Sequence, residues 1–114
     1  MPGRNANNIF KLIYDEIVAR LPGAGGETPV SGAKTVTTAG TQAAMGGNIG
    51  ARNLIIAANP DNAGNIYVGP STVDSTTGLK LPPGGILPCG NVNLSEIYLD
   101  ADNSGEGISY YYTT

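Results

Sequence analysis

The chain has 114 residues, a formal net charge of −3 and 13% charged residues, about half the usual share for a soluble domain. That length fits one domain with a small appendage, enough to bury a single modest core. Six lysines and arginines scattered singly form no basic patch, and there is one cysteine and no histidine. These counts argue against nucleic acid and membrane partners, and they exclude internal disulfides and histidine-dependent nucleophilic catalysis.

The N-terminal stretch lacks the pattern of a signal peptide: Arg4 is its one early charge, and Lys11, Asp15 and Glu16 interrupt its apolar positions. No apolar run approaches the ~20 residues that span a bilayer. The expectation is a chain made in a cytosol and kept there until assembled. Instead, residues 1–21 read as an amphipathic helix. Asn5, Asn7 or Asn8 caps its start, and Pro22 with Gly23 ends it. Asn7, Phe10, Tyr14, Ile17 and Leu21 step by three and four, the spacing of self-associating helices, over about two heptads. Such a helix either packs on its own domain, or bundles with copies of itself or docks on a larger partner. Eight large apolar side chains within residues 9–21 exceed what one docking face needs, which favours the second reading. Phe10, Ile13, Tyr14, Ile17 and Leu21 are the expected assembly residues, with a trimer favoured.

Residues 22–32, "PGAGGETPVSG", read as a Gly/Pro-rich tether. From residue 33 to residue 114 every periodic segment has β character. Predicted strands cover residues 34–40, weakly 41–50, then 52–59, 65–69, a short piece at 79–81, an edge strand at 86–93 containing Pro88, and finally 95–101 and 107–114. Six to eight short strands with frequent turn signals predict an antiparallel β-sandwich or small barrel. Two connections share the residues Asp-Asn-x-Gly: Asp61–Gly64 and Asp102–Gly105. Both read as hairpin turns, one joining 52–59 to 65–69 and the other joining 95–101 to 107–114.

Chemistry-bearing candidates are few. Asp100, Asp102, Ser104 and Gly105 match the opening of a calcium loop, but Tyr111 stands where the closing glutamate belongs. The reading is an acidic turn, with a weak calcium site at Asp100, Asp102 and Glu106 as the alternative. The acids of this region lie along one turn and do not face each other across a groove, as paired carboxylate catalysis requires. Cys89 reads as a small packing residue, since nothing basic lies near it in sequence. Tyr110 and Tyr112 share one strand face and Tyr111 takes the other, packing a sheet edge or forming an interface. No catalytic or cofactor-binding residue is expected.

"GNIYVG" (64–69), "GLKLPPGG" (78–85) and "LSEIYLDA" (94–101) together resemble small β-sandwich virion proteins of tailed bacteriophages. The resemblance covers about residues 34–112. It implies a structural role in the virion, as a capsid decoration, cement or head-fibre protein, or as a tail or neck component, assembled in the host cytoplasm. It implies other virion proteins, the major capsid protein foremost, as partners, and no enzymatic activity. A carbohydrate- or receptor-binding module using loops 60–65, 70–78 and 100–107 is the alternative from a different class.

Overall fold

The computed structural model describes residues 27–114. Eight strands follow in order: β1 (Pro29–Thr35), β2 (Ala43–Ala44), β3 (Gly50–Ala58), β4 (Ile66–Gly69), β5 (Leu79–Leu81), β6 (Ile86–Asn93), β7 (Tyr98–Ala101) and β8 (Gly107–Thr113). One 3-10 turn, Leu94–Glu96, precedes β7, with the Asn93 side chain accepting from the Ser95 N–H. The strands form two four-stranded sheets, β1-β8-β3-β6 and β2-β7-β4-β5, with every pairing antiparallel.

Both sheets contribute to one apolar cluster. Leu54, Ile56, Ile108 and Tyr112 come from the first sheet, Ile66, Val68, Leu81 and Leu99 from the second, and Val36, Met45 and Leu94 from connections. The two-residue period of a strand sends alternate side chains inward. In β3, Leu54 and Ile56 are fully buried while Ile55 between them is 42% exposed. A bulge keeps the earlier part of that strand in phase. Asn53 adopts φ +53° and the register shifts between Ala51 and Leu54, so both of those residues reach the core although three positions apart. The Asn53 N–H, taken out of the ladder, donates to the Asn91 side chain at 3.1 Å.

Three sequence expectations need correction. Segments 52–59 and 65–69 do not form a hairpin: β3 pairs with β6 and β8, and β4 pairs with β5 and β7. Segments 95–101 and 107–114 also part, β7 to the second sheet and β8 to the first. Each Asp-Asn-x-Gly connection therefore carries the chain from one sheet to the other. The polar run between two apolar strands has the same composition in either geometry, and only long-range pairing decides between them.

The third correction concerns the tether. Residues 29–32 belong to β1, in register with β8 from Pro29↔Thr113 to Gly32↔Tyr110. Gly32 belongs there because the Tyr110 ring lies over it: a Cβ would sit 2.6 Å from the Tyr110 hydroxyl. β1 also stops at Thr35, short of the expected residue 40, with Val36 just beyond it fully buried. Pro88 does sit on an edge strand, as expected, since β6 pairs only with β3. The helix expected over residues 1–21 lies outside the described residues, as do residues 22–26 of the tether.

Adjacent residues in β3 test this register. Leu54→Ala should cost about 2–5 kcal/mol and Ile55→Ala less than ~1 kcal/mol. Urea unfolding of the two variants measures the difference, and similar losses would contradict the inward and outward assignment.

Candidate functional site

Among the described strands six connections cross between the sheets, and the two built on Asp-Asn-x-Gly meet and fasten to each other. Asn62 is buried and bonds Gly107 in both directions: its Nδ2 donates to the Gly107 carbonyl at 2.9 Å, and its Oδ1 accepts from the Gly107 N–H at 3.3 Å. Glu106 reaches back to the other connection, where its two carboxylate oxygens accept from the backbone N–H groups of Ala63 and Gly64. Asp102 accepts from the Asn65 N–H and from the Tyr67 hydroxyl, both at 2.9 Å, and its own N–H donates to the Asn65 carbonyl at 3.1 Å. The approach is close enough to require glycine. A Cβ on Gly64 would lie 2.7 Å from the Asp102 Cβ, and one on Gly107 would meet the Lys34 carbonyl oxygen and lie 2.9 Å from the Thr35 Cα.

These bonds favour the ionised carboxylates. The Asn65 N–H first, and then the Tyr67 hydroxyl, hold Asp102 below its ordinary value. The Ala63 N–H, followed by that of Gly64, does the same for Glu106 against the opposing effect of burial. The Tyr67 hydroxyl is pushed up, chiefly by its bond to Asp102.

Asp100, the third residue of the weak calcium candidate, is buried beside the 37–42 turn. Its Oδ1 accepts from the Gly40 N–H at 2.9 Å and the Ala101 N–H at 2.8 Å. Each of the three candidate carboxylates thus already holds backbone donors. Among the described residues no three Asp, Glu or Cys side chains gather as metal ligands.

The loops of the binding-module alternative are also committed to the fold. Loops 60–65 and 100–107 do come together, as partners of each other. Loop 70–78 is organised by Asp74, whose Oδ1 accepts from Thr76 and Thr77 backbone and hydroxyl groups. Its Val73 is buried against Gly69 and Gly78. Among the described residues no buried side-chain polar atom lacks a hydrogen-bond partner.

Cys89 is half-buried against the core, with its Sγ 3.7 Å from the Leu87 carbonyl oxygen, and burial pushes its thiol up, away from reactive thiolate character. Tyr110 and Tyr112 stack with centroids 5.8 Å apart on the inner side of β8, whereas Tyr111 faces outward at 46% exposure. The assembly candidates Phe10, Ile13, Tyr14, Ile17 and Leu21 lie outside the described residues.

What sequence reasoning passed over is the outer face of the first sheet. Ile55 stands in register with Tyr111 on one side and Pro88 on the other, and Ala57 with Ser109 and Ile86. A shallow apolar depression of about 200 Å³ opens there between Ile55, Ala57, Ser109, Tyr110 and Tyr111. Part of the signal lies in the alternation, since Ile55 stands between the core residues Leu54 and Ile56, and Tyr111 between Tyr110 and Tyr112.

Comparison with family models, curated proteins and solved structures finds no match for this chain. Among the described residues no helix is long and apolar enough to cross a membrane.

The carboxylate bonds predict the acid response. Asp102 and Glu106 contribute stability that is complete above their ordinary values, 3.8 and 4.5, and that is lost as pH falls through their lower folded values. The urea midpoint should therefore drop on acidification below about pH 4.5, and Glu106→Gln should lose less over the same range. Parallel acid profiles for the two proteins would contradict the role of Glu106. Added calcium should leave the melting temperature of the unaltered chain unchanged, and a rise would revive the metal reading.

Proposed function

We propose that this chain is a non-enzymatic structural protein of a tailed-phage particle, a capsid decoration, cement or head-fibre protein. In this reading the two-sheet body is a β-sandwich displayed on or cementing the particle. The N-terminal segment, as an amphipathic helix, joins copies into a homo-oligomer, a trimer foremost, or seats them on the major capsid protein.

One observation carries the reading: the polar and acidic groups of the connections are spent on each other. The clasp between Asn62, Asp102, Glu106 and Gly107 uses the carboxylates and amides that a catalytic or ligand-binding site would need to present outward. What the body offers a partner is surface shape and apolar area, which is the material of assembly. The resemblance of the strands at 64–69 and 94–101 to phage virion proteins supplies the setting.

Residues outside the described body provide the test. Ile13→Asp with Ile17→Asp should abolish self-association, or incorporation into particles, while the far-ultraviolet β signature and the urea midpoint of the body persist. Light scattering coupled to size exclusion reads the mass directly. A doubly substituted chain that assembles like the unaltered one would remove the helix from this role.

A further inference from the structure

The two sheets differ in how their outer faces are treated. On the second sheet, the outward Tyr67 and Asp100 are 5% and 3% exposed, because the chain folds its own loops over them. The Gly40 N–H reaches Asp100, and a Cβ on Gly78 would touch both Tyr67 and Val73 at 2.7 Å. On the first sheet nothing among the described residues covers the outward side chains. Ile55 is 42% exposed, Tyr111 46% and Ile86 67%, and register places them side by side across β8, β3 and β6.

The composition of this face is that of an interface. Ser31, Ala33, Ser109 and Thr113 continue it without charge. Arg52, at its margin, is 3.2 Å from the Glu27 carboxylate. Depletion of charge with an exposed tyrosine at the centre is the pattern that separates contact surfaces from ordinary surface.

We infer that this face is a second self-contact, occupied by another copy of the chain. The inference rests on the assembly reading above, and its size explains why. Four strands about 4.8 Å apart and about seven residues long present on the order of 400 Å², against about 800 Å² per partner in a stable stand-alone interface. The face is too small to hold two free copies together. It becomes sufficient when something else brings the copies close.

The N-terminal segment is placed to do so. β1 begins at Pro29 on this same sheet, so only residues 22–28 separate the face from the expected helix. Seven residues reach about 25 Å at most. Copies joined through residues 1–21 hold their sheet faces at an effective concentration of about 1 mM, where a contact with a dissociation constant of about 0.1 mM is closed about nine-tenths of the time. The helix supplies proximity, and the apolar face sets the arrangement of the bodies around it.

The experiment uses the full chain with Cys89→Ser and Ser31→Cys, beside Tyr111 in register, so that one thiol reports on the face with its large apolar residues intact. Its maleimide labelling rate is measured with and without Ile13→Asp and Ile17→Asp, and light scattering gives the mass of each sample. Labelling in the assembled chain should be about tenfold slower than in the dissociated one, as for a face covered about nine-tenths of the time. Adding Ile86→Lys should restore fast labelling while the mass stays that of the oligomer. Equal rates in assembled and dissociated chains would overturn the inference and leave the assembly reading intact, as would a rate that Ile86→Lys leaves slow. A monomeric unaltered chain would overturn both.

Discussion

The fold depends on the mutual fastening of two connections. The chain crosses to the second sheet after β3 and, at a later crossing, back to the first after β7, and these two passages lie against each other. Asn62, Glu106 and Asp102 fasten them, each reaching from one passage to backbone groups of the other, while Gly105 and Glu106 also bond the Val36 backbone. An individual hydrogen bond of this kind contributes only about 1 kcal/mol. Its larger effect is to satisfy N–H groups that would otherwise be trapped where the passages touch. Gly64 lets the passages come that close, and Gly107 lets the β1 backbone at Lys34 and Thr35 lie against the start of β8. Tyr67 ties the fastening to the second sheet through Asp102, and the bonds of Gly107 tie it to the first.

Much of the architecture was legible in the sequence, and the failures have one cause. Most strand positions, a count within the expected six to eight, the shared face of Tyr110 and Tyr112 and the edge placement of Pro88 follow from two-residue alternation and from local backbone chemistry. Pairing does not. Among the described strands only β4 and β5 are neighbours both in sequence and in a sheet. A turn-forming run such as Asp61–Gly64 permits either a hairpin or a passage between layers, and the choice lies in residues some forty positions away. Residues 29–32 were misread for a related reason. Proline and glycine there suggest a tether, and only the register with β8 and the ring of Tyr110 over Gly32 make them a strand.

The acidic turn shows how composition misleads about function. Asp100, Asp102 and Glu106 lie within seven residues and imitate half of a cation loop, yet their oxygens point into three different sets of backbone donors. Electrostatic capacity that would serve a ligand is consumed internally. The outer face of the first sheet is the converse case, unremarkable as sequence because Ile55, Ile86 and Tyr111 are far apart in the chain. Sheet register alone gathers them.

The pairing of β8 with both β1 and β3 has a consequence for biogenesis. The first sheet has no centre until its last strand exists, so the layer cannot close while residue 113 is still inside the ribosome. A topology built on such distant pairings closes its loops late and folds slowly compared with one built from local hairpins.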